Sequence, residues 1–117
     1  MDHFPTGSVN DYSRLQIETA SQSRLICMLH EQSCILLQLA ADSSPQERRV
    51  ILDKVQNIVI LLQRSLVITD ATSQSMYHLY DYCFCQLEQE ADASIEHSLR
   101  ILRTLRETFN QLHKRQY

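Results

Sequence analysis

The sequence predicts an all-α fold, an antiparallel up-down four-helix bundle preceded by a short lead. Three observations carry this. The chain has 117 residues but only one glycine and two prolines, so the punctuation that hairpins and βα loops require is almost missing. Apolar residues recur at three- and four-residue spacing in four long segments. Capping signals mark the joints between those segments.

Taking the elements in order, residues 1–9, "MDHFPTGSV", read as flexible and residues 10–21 as a lead or cap, with room for a short extra helix. The first long helix is predicted over about 22–41. In "SPQE", Ser44 offers an N-cap, Pro45 the first helical position and Glu47 the third, a capping box that starts a second helix over about 46–68. Thr69 or Asp70 can cap a third over 72–91, and Asp92 or Ser94 a fourth over 94–113. Helices of about twenty residues are roughly 30 Å long, and loops of a few residues force neighbours to run antiparallel.

Periodicity places Leu25, Met28, Leu29, Gln32, Ile35, Leu36 and Leu39 on the core stripe of the first helix. The second offers Ile51, Val55, Ile58, Leu62 and Leu66, and the third Met76, Leu79, Tyr80, Cys83 and Leu87. The fourth offers Ile95, Leu99, Leu102, Leu105, Phe109 and Leu112. The first two helices are apolar beyond these stripes. At 100° per residue, Ile26, Leu37 and Ala40 widen the first arc to roughly 200°. Leu52 and Val59 flank the second stripe on one side, Val50, Leu61 and Ile68 on the other, and Ile60 lies nearly opposite it. Two readings stay open: a thickly packed bundle with some exposed aliphatics, or grooves that accept an amphipathic partner helix.

Charge and composition exclude several classes. The formal net charge is -3 and the 11 basic residues are scattered, so no nucleic-acid footprint is expected. No membrane insertion is expected either, since no run approaches the length of an apolar span and the amino terminus lacks the features of a signal peptide. A cytosolic protein with its four cysteines reduced follows.

The chemistry-bearing residues fall into small groups. Cys27, His30 and Cys34 share one helical face, as do His78, Asp81 and Cys85, so a small metal-binding helical protein is an alternative. Both trios lack an established zinc spacing and are placed off the apolar stripes, so solvated faces and incidental thiols account for them and no metal or other cofactor is expected. Catalysis is not expected, because a short-looped bundle offers little to build a pocket and oxyanion hole. The single glycine, Gly7, could not form a phosphate-binding loop. Tyr80 belongs to the core stripe, where its hydroxyl needs a partner. Tyr82 lies on the other side of that helix, and Tyr12 is a lone aromatic in the lead.

"NDYSRLQIETAS" followed by "LICML", then "LQRSL" and "LYDY", resembles the flagellar secretion chaperone (FliS) family, which reads N-x-Y-x4-V/I-x-T-A-S-P, L-I-x-M-L-Y-D-G-A, L-x-x-S-L and L-Y-D-Y. Asn10, Tyr12, Ile17, Thr19, Ala20, Ser21, Leu25, Ile26, Met28 and Leu29 keep that spacing, and Ser65 and Leu66 match the second-helix motif. The chain departs from the pattern at Gln22, at His30 to Ser33 ("HEQS"), at Phe109 and in a shorter glycine-free loop before "LYDY". The resemblance implies a cytosolic chaperone whose partner is the disordered carboxy-terminal segment of flagellin, with the export apparatus as a second partner. It also implies a lead that folds over the bundle as a displaceable cover. A related chaperone or adaptor for a different secreted or structural subunit is the alternative. Candidate partner-binding residues are Tyr12, Leu15, Ile17, Ile26, Leu37, Leu52, Val59, Ile60 and Tyr82.

Overall fold

The computed structural model describes residues 8–115, with side chains from 22 to 111. Four helices follow one another: α1 Ser8–Ala41, α2 Pro45–Ser65, α3 Ala71–Leu87 and α4 Asp92–Arg115. Each helix packs on the next, and α4 returns to α1. The short joints make neighbours antiparallel, and the four helices close a square with the core along its centre.

The joints follow from their residues. At α2 the Ser44 side chain accepts from the Glu47 N–H, Glu47 reaches back to the Ser44 N–H, and Pro45 occupies the first turn, as expected. Asp70 caps α3 with Ser73 as its reciprocal partner. α2 ends at Ser65 rather than near residue 68, because Leu66 turns extended and the β-branched Val67, Ile68 and Thr69 follow. α3 ends at Leu87, four residues before the expected end. Beyond it Glu90 has a φ of 57°, the left-handed region in which a residue with a Cβ is uncommon. α4 starts at Asp92, where the Ala91 carbonyl accepts from Ile95 N–H.

Two arginines secure that corner. Arg48 donates to the carbonyls of Ala40, Ala41 and Glu90 at 3.0 to 3.1 Å and pairs with Asp92 at 2.9 Å. It thereby caps the last turn of α1, sharing the Ala40 carbonyl with the Ser43 N–H, and ties that end to the α3–α4 joint. Arg49 holds the Glu90 carboxylate at 3.0 Å and passes a hydrogen bond to Gln56 Oε1, whose amide donates to Phe84 O.

The largest departure lies in α1. No break separates the lead from the first long helix; with no glycine or proline between Ser8 and Ala41, the backbone is helical throughout. The lead is therefore an extension of α1 here, not a segment folded back over the bundle. The side chains of Tyr12, Leu15 and Ile17 lie outside the described residues.

The face that α1 gives the core also differs. Leu25, Met28, Ile35 and Leu39 are 53 to 57 % exposed, whereas His30, Ser33, Leu37 and Ala40 are completely buried and Cys34 nearly so. Gln32 is exposed and Leu29 and Leu36 are half-buried at the margin. The core continues through Leu52, Val55, Val59 and Leu62 of α2, Met76, Tyr80, Cys83 and Leu87 of α3, and Ile95, Leu102 and Leu105 of α4. Leu79 faces outward at 38 %, Ile51, Ile58, Leu66, Leu99 and Phe109 pack on the margin, and Leu112 lies outside the described side chains.

Candidate functional site

The bundle presents three surfaces on which function could rest. The first is the outer side of α1. Leu25, Met28, Gln32, Ile35 and Leu39 follow one another at intervals of three, four, three and four residues, which stacks them along one face of a helix. All five are exposed, on the side away from the buried His30, Ser33 and Leu37. Leu29 and Leu36 continue the apolar surface toward α2, where Ile51 and Ile58 are half-buried and Val50 and Leu61 are exposed. A helix apolar on opposite faces needs one for its own bundle, and the other is left for something else.

The second surface is a cavity of about 410 Å³ where Ile26 of α1, the α2–α3 joint and Phe109 of α4 meet. Leu66, Val67, Met76 and Tyr80 give it apolar walls, and Thr69, Asp70 and Ser73 a polar rim. Beneath it lies a buried polar pair. The Tyr80 hydroxyl is 2.6 Å from His30 Nε2, and His30 Nδ1 is 2.9 Å from the Ile26 carbonyl. A carbonyl only accepts, so the geometry assigns the proton to Nδ1 and Tyr80 donates to Nε2. Burial, reinforced by the Arg106 charge and opposed by the Ile26 hydrogen bond, lowers the His30 pKa to about 4.

The third surface lies between α3 and α4. Tyr82 is exposed, with its ring edge-on to His97 at 5.4 Å, beside a shallow groove of Leu79, Arg100, Ile101 and Thr104.

Several expectations are corrected by these positions. Leu37, Leu52 and Val59 are core residues at 0 to 1 % exposure and offer nothing to a partner, because the true centre of each helix's buried arc lies on the side where they sit. Ile26 is half-buried against the core and lines the cavity, and Ile60 is half-buried rather than fully outward. Tyr82 keeps its expected exposure. The residues that α1 presents outward, Leu25, Met28, Ile35 and Leu39, are ones that periodicity predicts for the core; a count of apolar positions favours that stripe over one containing His30 and Ser33.

The thiol and imidazole groups do not form the solvated trio expected on α1. His30 and Cys34 are in the core, and Cys27 donates to Asn110 Oδ1 at 2.9 Å. Burial raises the pKa values of Cys34 and Cys83, the latter to about 11, so both remain protonated thiols at neutral pH. Among the described residues no three His, Cys, Asp or Glu side chains are grouped to hold a metal ion, and no described helix is long and apolar enough to cross a membrane.

Compared with known families, residues 6–116 match the family model described as "Flagellar protein FliS". No curated protein and no solved structure matches the chain.

Proposed function

The chain belongs to the FliS family, a family of flagellar export chaperones rather than enzymes, and on that premise we propose that it binds the carboxy-terminal segment of flagellin in the cytosol and keeps it competent for export. The observation that carries this reading is the exposed apolar stripe of α1, Leu25, Met28, Ile35 and Leu39, on a helix that already buries its opposite face.

The chemistry suits a filament subunit. A free subunit with sticky amphipathic ends polymerises, and a chaperone that sequesters one end withdraws it by mass action. Such a segment is disordered when free and becomes a helix when its apolar face finds the stripe. Ordering it offsets part of the contact energy, which keeps the complex reversible for hand-over to the export apparatus, the second partner in this reading. No nucleotide or metal enters the cycle.

Tyr12, Leu15 and Ile17 on the amino-terminal extension of α1 are proposed as further client contacts, whereas Ile26 lines the cavity and Tyr82 stands beside the α3–α4 groove, surfaces distinct from the α1 stripe. Polymerisation of flagellin from the same organism, followed by light scattering, tests the function. An equimolar amount of this protein is expected to suppress the rise in scattering. Undiminished polymerisation would transfer the role to another exported subunit.

A further inference from the structure

We propose that the groove between α3 and α4 is a second docking surface, separate from the α1 stripe, and that it takes an acidic amphipathic helix of another protein.

The groove has an apolar floor and a cationic edge. Leu79 of α3 and Ile101 of α4 form the floor of a space of about 320 Å³, with His97, Arg100 and Thr104 along its α4 side. Leu79 is 38 % exposed although its neighbour Tyr80 is buried, and Tyr82 stands at the rim 44 % exposed. Both α3 residues thus leave apolar surface in water that the bundle itself does not cover.

The charge at the edge identifies the partner's chemistry. Among the described residues no carboxylate lines the groove and the Arg100 guanidinium makes no ion pair, although Glu96 lies one turn before it on α4. The Tyr82 hydroxyl is 3.5 Å from His97 Nδ1, too long to commit it, so it remains free to donate. An arginine and a phenol hydroxyl beside an apolar floor complement a carboxylate-bearing helix and repel a basic one.

The shape calls for a helix. His97, Arg100 and Thr104 follow at three and four residues, so the edge runs along α4 for about 10 Å at 1.5 Å per residue. A trough between two antiparallel helices admits a third laid along it. Its apolar floor is small beside the roughly 1,200 Å² of a stable specific complex, so the contact is a transient one in which charge governs encounter. Each helix packs on the next and α4 returns to α1, which places the α3–α4 edge of the square opposite the α1–α2 edge. The groove therefore stays open while the α1 side is occupied.

Nuclear magnetic resonance titration of the full chain tests the proposal with two capped helical peptides of about 18 residues, a length that supports partial helix. Both carry leucines at every third and fourth position, flanked in one by glutamates and in the other by lysines. The acidic peptide should shift the amide signals of Leu79, Tyr82, Ile101 and Thr104 saturably, and the basic one should bind about tenfold more weakly. Arg100→Glu, at an exposed position, should keep the wild-type circular dichroism and reverse that preference. Equal binding of the two peptides, or an unchanged preference in Arg100→Glu, would overturn the assignment of an acidic partner. Groove shifts produced by the carboxy-terminal flagellin segment alone would give the groove to the client, and shifts that grow with protein concentration without peptide would give it to a second copy; either would overturn the proposal.

Discussion

The hydroxyl of Tyr80 on α3 donates to Nε2 of His30 on α1 at 2.6 Å, linking two diagonally opposed helices through the centre of the bundle. The bond explains how α1 can turn a histidine inward and four aliphatic residues outward. Every polar valence of the His30 ring is used, Nδ1 by the Ile26 carbonyl and Nε2 by Tyr80. Replacing Tyr80 with phenylalanine keeps the ring volume but leaves Nε2 buried without a donor. Tyr80→Phe should lower stability by about 1–3 kcal/mol in urea unfolding, and an unchanged midpoint would show that the pair contributes nothing.

The same histidine makes stability depend on pH. Its pKa is about 4 in the folded chain against an ordinary 6.5, so the unfolded state takes up the proton first as pH falls. Stability from this group is therefore complete above pH 6.5, declines between 6.5 and about 4, and loses nothing more below that. The full difference is about 3 kcal/mol. His30→Phe should flatten this part of the pH profile relative to wild type, and parallel profiles for the two proteins would contradict it.

Leu37 and Leu39 are two positions apart and lie on opposite faces of α1. Leu37→Ala should cost about 2–5 kcal/mol because it opens a cavity in the core. Leu39→Ala, at a residue 54 % exposed, should stay within about 0.5 kcal/mol. Thermal or urea unfolding of the pair checks the facing of the helix directly, and the reverse order of losses would return the exposed stripe to the core.

At the far corner, Arg48→Ala would strip the carbonyls of Ala40, Ala41 and Glu90 of a shared donor. A loss of about 1–3 kcal/mol is expected. The ion pair with Asp92 adds little, since that carboxylate is 85 % exposed. Arg48→Lys, which keeps the charge but not the forked donors, should recover only a small part. Full recovery would mean that charge, not the carbonyl contacts, matters.

These facings show what was legible in the sequence. The helix count, the Ser44–Glu47 capping box and the α3 core residues Met76, Tyr80, Cys83 and Leu87 could be read directly, because strong local chemistry and tertiary packing agreed. The orientation of α1 could not. Its buried face includes His30 and Ser33, whose polar atoms are satisfied by Tyr80, Ile26 and Leu29, and hydropathy does not register hydrogen bonds that form only after folding. Its outward face follows a heptad, the same signal that a core stripe gives. Once α1 is rotated, Leu37 becomes core and Leu25, Met28, Ile35 and Leu39 become the candidate site. Periodicity alone does not say which of two apolar faces the bundle uses, though the excess width of the arc did indicate that there were two.

The outward apolar face of α1 is proposed to fold a client segment onto itself. Titration calorimetry with the carboxy-terminal segment of flagellin from the same organism, run at several temperatures and paired with circular dichroism, tests it most directly. Saturable one-to-one binding is expected, with a negative heat-capacity change from apolar burial and a gain in helix beyond the sum of the free components. No heat and no gain in helix, for both the full chain and one lacking residues 1–17, would contradict the claim.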